Sequence, residues 1–176
     1  QSTPVGPDGG YHNPGLGFTY TDCMLLKGVW QADLRLSWTC SNRIVADPTR
    51  TTRGLIEPTI AELTNGSILM IMRASNDVAH EWPGHKWMSF SKDGGETWTN
   101  PEPWVYEDGS AFNSPSACSQ PLPHSNGKLY WIGNICKQNP KGNRPRYPIV
   151  IGEVDRGTGL LWRESVTILD DRQPGE

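Results

Sequence analysis

The sequence predicts an all-β fold built from repeated four-stranded antiparallel units, and three observations lead there. The first is composition: 19 Gly, 15 Pro and 8 Trp among 176 residues, with only 20% charged, suit short strands joined by tight turns and are poor for long helices. The second is a pattern that occurs twice. It reads EPTIAELTNGSILMIMR (57–73) then KWMSFSKDGGETW (86–98), and again SPSACSQPLPHSNGKLYWIGN (114–134) then RYPIVIGEVDRGTGLLW (146–162). The third is spacing: Asn65-Gly66 and Asn126-Gly127 lie 61 residues apart, and Asp93 and Asp155 lie 62 apart.

Within the first copy, 58–63 and 68–72 are β-compatible runs, and Asn65-Gly66 between them predicts a two-residue hairpin. A third strand is predicted over 87–91. The Asp93-Gly94-Gly95 turn follows, and a fourth strand starts at Trp98. Four antiparallel strands in about 60 residues make one propeller blade. Segment 18–44 reads as parts of a further, less regular blade. The expected division is an irregular partial blade over 1–50, a blade over 54–108 and a blade over 110–171, all within one partial propeller, 1–176. Such an open half-ring exposes sheet edges, so the chain is expected to be part of a larger protein. The Gly/Pro-rich 1–17 and the polar 170–176 both read as cut ends.

A net charge of −3 argues against nucleic acid or an anionic membrane surface as partner, so an anionic ligand would need a local basic pocket. The longest aliphatic run, 68–72, is far short of the ~20 residues of a spanning helix, and no signal peptide is visible. Cys23, Cys40, Cys118 and Cys136 contain no C-x-x-C pair, which speaks against zinc. Cys118 and Cys136 sit nine residues either side of Gly127, and Cys23 and Cys40 flank a possible turn at 31–33. Two disulfides, suited to a secreted protein, and four buried thiols both remain open. His80 and His85 lack a third ligand at convincing spacing, so neither metal nor cofactor is expected.

Ser91-Lys92-Asp93-Gly94-Gly95-Glu96-Thr97-Trp98 fits S-x-D-x-G-x-T-W. The Asp93 carboxylate can accept local backbone N–H groups, Gly95 can take positive φ, and Trp98 can bury its ring. Ser91, Asp93, Gly95, Thr97 and Trp98 are therefore read as structural. The segment resembles the Asp-box (BNR) repeats of sialidases and other propellers, which implies a six-bladed propeller of the sialidase type, with about three four-stranded blades in this chain. The second copy is degenerate: Asp155 and Gly157 are in place, but Trp162 is displaced by two residues.

Strand counting puts the Asp-box at the rim away from Glu57 and Arg73. Those two residues are each eight positions from Asn65, so a tight hairpin makes them cross-strand neighbours. Taken alone, that is an ion pair worth little if exposed. Glu57, Glu62, Leu63, Asn65, Gly66, Leu69 and Arg73 also match the segment E-x-x-x-x-E-L-x-D/N-G-x-x-L-x-x-x-R of bacterial sialidases. The resemblance implies that Glu57 activates a tyrosine nucleophile and that Arg73 belongs to an arginine triad gripping the sialic acid carboxylate. An anionic nucleophile would be repelled by that carboxylate, which a tyrosine avoids. Arginine grips it through paired hydrogen bonds that lysine matches poorly.

Arg146, expected to open the third strand of the second copy, resembles the third triad arginine, with Arg144 as competitor. Asn134, the counterpart of Arg73, is expected to line the pocket, and loops 74–85 and 135–145 to shape its rim. The first triad arginine, the acid/base aspartate and the nucleophilic tyrosine of the family have no counterpart here, so the isolated chain is not expected to turn over substrate. The leading expectation is a piece of a retaining exo-sialidase acting on sialylated glycans, secreted or periplasmic. The alternatives are a propeller glycosidase for another sugar and a non-catalytic propeller that binds carbohydrate or protein.

Overall fold

A computed structural model of the chain describes residues 1–172; residues 173–176, read above as part of a polar end, lie outside the described residues. Ten strands among the described residues form three antiparallel sheets. A two-stranded sheet pairs β1 (Leu26–Trp30) with β2 (Leu36–Cys40). A four-stranded sheet runs in chain order through β3 (Ile56–Glu62), β4 (Ile68–Arg73), β5 (Lys86–Ser91) and β6 (Glu102–Pro103). The other repeats that order with β7 (Gln120–Pro123), β8 (Leu129–Asn134), β9 (Ile149–Val154) and β10 (Thr167–Asp170). Of the about three four-stranded blades expected from the repeat, two four-stranded sheets are present; before them the chain forms the pair β1–β2, whose strands contact no other strand among the described residues. The fourth strand of the first blade begins at Glu102, later than the expected Trp98.

The central strand β4 reads ILMIMR, a continuous apolar run, because both faces of its sheet are covered. Alternation sends Leu69 and Ile71 to one side and Met70 and Met72 to the other. Leu69 and Ile71 share a core with Leu129, Trp131, Val150 and Val154 of the second sheet and with Trp104 of the connection between them. Met70, Met72, Trp87 and Trp98 pack on Cys23, Ile44, Ala46 and Leu55. The first strands of the two sheets, β3 and β7, lie against each other. One blade is thus held between its neighbours, and the apolar seam beside the second blade leads to the rim where β4 ends.

Neither Asn-Gly pair forms a two-residue turn. Leu63 N–H bonds the Ser67 carbonyl at 2.8 Å and Gly66 N–H bonds the Leu63 carbonyl at 3.1 Å. The loop is therefore 64–66, with Gly66 at φ +79°, a three-residue hairpin loop whose glycine takes the left-handed position. His124 to Lys128 repeats this around Gly127. The extra residue shifts the second hairpin so that Gln120 faces Ile132, and Cys118 and Cys136 are not opposite one another. Cys23 bridges to Ile44 while Cys40 pairs with Leu26. All four cysteines are free thiols, Cys23 and Cys136 buried, Cys40 and Cys118 exposed.

The Asp-box is a closed network. The Ser91 hydroxyl donates to Asp93 Oδ1 and accepts the Gly95 N–H, both at 2.8 Å. Asp93 Oδ1 also accepts the N–H groups of Glu96 (3.0 Å) and Thr97 (2.9 Å), while Oδ2 accepts the Thr97 hydroxyl at 2.5 Å. The Thr97 hydroxyl and amide, then Ser91, hold the Asp93 carboxyl far below the usual carboxylate range. Trp98 is buried. In the second copy Asp155 still accepts the Gly157 N–H at 2.7 Å. There Leu161 is fully buried and Trp162 is 43% exposed, so the displaced tryptophan is not the residue that plugs the core.

Candidate functional site

β5 separates two ends of the first blade: Ser91 pairs with Ile68 beside the Asp-box, and Lys86 pairs with Arg73 at the opposite rim. At ~3.4 Å per residue the two ends are about 17 Å apart. The candidate site lies at the Arg73 end.

From Thr59↔Ile71 to Glu62↔Ile68 the β3–β4 register is regular, and extending it would pair Glu57 with Arg73. Instead the register slips and Ile56 faces Arg73. The slip falls on Glu57-Pro58. Proline has no N–H for a ladder bond, which suits a bulge, and Glu57 takes φ +50°, the left-handed region that non-glycine residues avoid. The bulge keeps the carboxylate at the rim, where Glu57 Oε1 accepts Arg73 Nη1 at 2.7 Å.

The second blade completes the cluster. Arg73 Nε donates to the Ser116 hydroxyl at 2.8 Å, and the Cys118 thiol donates to Glu57 Oε2 at 2.9 Å. Arg73 is 14% exposed at its side chain and Glu57 39%. Nε and Nη1 of Arg73 are thus engaged, and Nη2 is the nitrogen of the guanidinium without a partner among the described residues. Beneath the pair, the fully buried Lys86 donates from Nζ to the carbonyls of Pro115 (3.2 Å) and Ala117. Burial alone would raise Glu57, but the hydrogen bonds of Cys118 and Arg73 and the charges of Arg73 and Lys86 prevail, holding its carboxyl below the ordinary range. The bond to Glu57, and then burial, raises the Cys118 thiol. Burial and the neighbouring Arg73 charge pull the Lys86 ammonium down to about 7. The result is an ionised carboxylate in direct contact with a protonated thiol on one oxygen and a guanidinium on the other.

The other expected residues are placed differently. β9 begins at Ile149, so Arg146 lies in the loop before it and does not open the strand. Arg146 Nε bonds the Asn143 carbonyl at 3.3 Å. With Lys137, Lys141, Arg144 and Arg172 it lines an open cleft to which Glu57 and Arg73 do not contribute. Two of the three charged residues expected to gather do so, and no contact joins Arg146 to them among the described residues. Asn134 is buried, and its amide donates to the carbonyls of Arg146 (2.8 Å) and Pro148 (3.0 Å), fixing that loop from below.

Loops 74–85 and 135–145 are laced together above the seam. Asn76 donates to the carbonyls of Trp82 (2.8 Å) and Pro140 (2.9 Å) and accepts the Gly142 N–H (2.8 Å). Asn139 donates to the carbonyls of His80 and Trp82 and accepts the Gly84 N–H. His85 Nδ1 meets the Phe112 carbonyl at 3.1 Å. No three His, Cys, Asp or Glu side chains gather as metal ligands among the described residues. Sequence reasoning missed Lys86, Ser116 and Cys118. The parity of β5, which places Lys86 on the face of Met88 and Phe90, was the available signal for the first.

The profile of the family described as "BNR repeat-like domain" matches residues 7–175. No curated protein matches the sequence. Among solved structures, a protein of unknown function from Dyadobacter fermentans matches with TM-score 0.51 and 12% identity over 96% of this chain and 41% of that one. A GH43_12 protein retrieved from a capybara gut metagenome matches with TM-score 0.46 and 18% identity, over 85% of this chain and 29% of that one. The intramolecular trans-sialidase of Ruminococcus gnavus, in complex with oseltamivir carboxylate, matches with TM-score 0.45 and 17% identity, over 98% of this chain and 34% of its own. The chain thus spans well under half the length of these structures. The family profile covers nearly all of the chain, and its two complete sheets repeat one four-stranded order with an Asp-box turn after the third strand of the first. The chain belongs to the BNR repeat-like domain family.

Proposed function

We propose that this chain forms part of a glycoside hydrolase acting on terminal sialic acids. In this reading Arg73 offers Nη2 to the substrate carboxylate, and Glu57 takes the proton of a tyrosine nucleophile supplied from outside the chain, giving hydrolysis with retention. The observation that carries it is the Glu57–Arg73 contact of 2.7 Å at a rim bulge, with Nη2 the unpartnered nitrogen of the guanidinium among the described residues. Charge-assisted hydrogen bonding to a carboxylate is the chemistry that a preformed arginine supports. A secreted or periplasmic location goes with this substrate and rests on it alone.

One fact favours a second reading, a propeller that binds carbohydrate without cleaving it: both Glu57 oxygens are already engaged, by Arg73 and Cys118. The full-length protein, assayed with a fluorogenic sialoside, separates the two. Hydrolysis is expected, and Arg73→Ala should lower kcat/KM by on the order of 10²–10³, the usual cost of losing a preorganised electrostatic partner. Full activity in Arg73→Ala, or cleavage of neutral glycosides only, would end the sialic acid reading.

A further inference from the structure

Lys86 is among the largest fully buried side chains, and no carboxylate pairs with it among the described residues. Lysine is almost never fully buried without a partner, so the two backbone carbonyls it holds are the clue to its role. They belong to Pro115 and Ala117 and bracket Ser116, and Cys118 comes next. Ser116 is the residue that accepts from Arg73 Nε, and Cys118 is the residue that donates to Glu57 Oε2. One buried ammonium therefore anchors the short stretch of backbone that supplies both second-blade partners of the Glu57–Arg73 pair.

We propose that Lys86 is a positioning residue for that pair: it fixes segment 115–118 across the seam so that Ser116 and Cys118 hold the guanidinium and the carboxylate in register, with Nη2 of Arg73 left open for an anionic ligand. The proposal deepens the reading of the site given above and rests on it for the identity of the ligand. Four titratable groups face Lys86 from the elements around it: Glu57 on β3, Arg73 on β4, Cys118 before β7 and Cys136 after β8. With the ammonium lowered to about 7, its charge changes near neutral pH. A neutral amine keeps two N–H groups, enough for both carbonyls. Deprotonation leaves the clamp intact and removes one of the charges that keep Glu57 ionised.

Cys118 is a built-in reporter, because it is exposed and its thiol is held protonated by Glu57. The exposed Cys40 is the internal standard. Alkylation of both by iodoacetamide, followed by peptide mass spectrometry, compares the wild-type chain with Lys86→Met and Lys86→Arg. Release of segment 115–118 frees Cys118 from Glu57, and thiolate reactivity rises by up to about tenfold per pH unit of pKa recovered. The expected result is a Cys118:Cys40 rate ratio raised ~3–10-fold in Lys86→Met and returned toward wild type in Lys86→Arg. An unchanged ratio in folded Lys86→Met overturns the proposal. If Lys86→Met does not fold, the wild-type chain decides by NMR. Slowly exchanging Lys86 Nζ protons with couplings across hydrogen bonds to the Pro115 and Ala117 carbonyl carbons support the clamp, and freely exchanging Nζ protons without such couplings overturn it. No turnover enters this test, so failure of the sialoside assay and failure of the Lys86 proposal are separate results.

Discussion

Replacing Glu57 by Gly and by Ala isolates the strain stored at the rim. Both variants delete the carboxylate, so the loss of the Arg73 contact and the Cys118 hydrogen bond is common to both and cancels in their difference. What remains is backbone. At φ +50° an L-residue with a Cβ carries about 1–2 kcal/mol that glycine does not. Glycine in turn loses more chain entropy on folding, about 0.5–1 kcal/mol relative to alanine. The balance leaves Glu57→Gly more stable than Glu57→Ala by about 1 kcal/mol, the reverse of the order at an ordinary strand position. With a urea m-value of about 2–3 kcal/mol/M, the midpoints should differ by roughly 0.3–0.5 M. Equilibrium unfolding in urea, followed by tryptophan fluorescence, measures this directly. If Glu57→Ala is as stable as Glu57→Gly, the bulge is not strained and the argument that the chain is forced to present Glu57 at the rim fails.

Two further outcomes follow from the seam and from the ionised groups. Leu69→Ala, at a fully buried position in the core shared by both blades, should cost about 3 kcal/mol and lower Tm by roughly 6–12 °C in one calorimetric transition; two separated transitions would refute a shared core. Lys86 titrates at about 7 when folded against 10.5 as a free side chain, so between those values the unfolded chain binds a proton that the folded chain lacks. Stability from this group therefore rises with pH above about 7. The Tm difference between wild type and Lys86→Met should shift in favour of wild type from pH 7 to 9, and a pH-independent difference would contradict the assignment.

The repeat, the Asp-box and the strands of the first blade were legible because they follow from local signals: turn residues, alternation and a fixed spacing. The Glu57–Arg73 meeting was legible for a partly fortunate reason. Counting eight residues each way from Asn65 gave the regular register, and the three-residue loop 64–66 happens to preserve it from Thr59 to Glu62. The equivalent loop of the second hairpin, 125–127, put Cys118 and Cys136 out of opposition, since that hairpin is centred on Asn126 and not on Gly127. The bulge at Glu57 was hinted at by Pro58 alone. Leu161 in place of Trp162, and the shared role of Lys86, Ser116 and Cys118, depend on how one sheet packs against the next. No window along the chain contains that information. Arg146 was assigned from its place in the repeat and from a resemblance to the third triad arginine, and the loop before β9 is long enough to carry it to a different cleft.

The lacing of the two rim loops by Asn76 and Asn139 has a consequence for engineering and for descent. Gly142, whose N–H is held by Asn76, also offers its carbonyl to the Ser116 N–H at 2.9 Å, so the loops brace the residue that steadies Arg73. Grafting a relative's 74–85 stretch alone would strip backbone partners from 135–145 and reach the guanidinium second-hand. The two stretches form one module, and swaps between relatives should move them together.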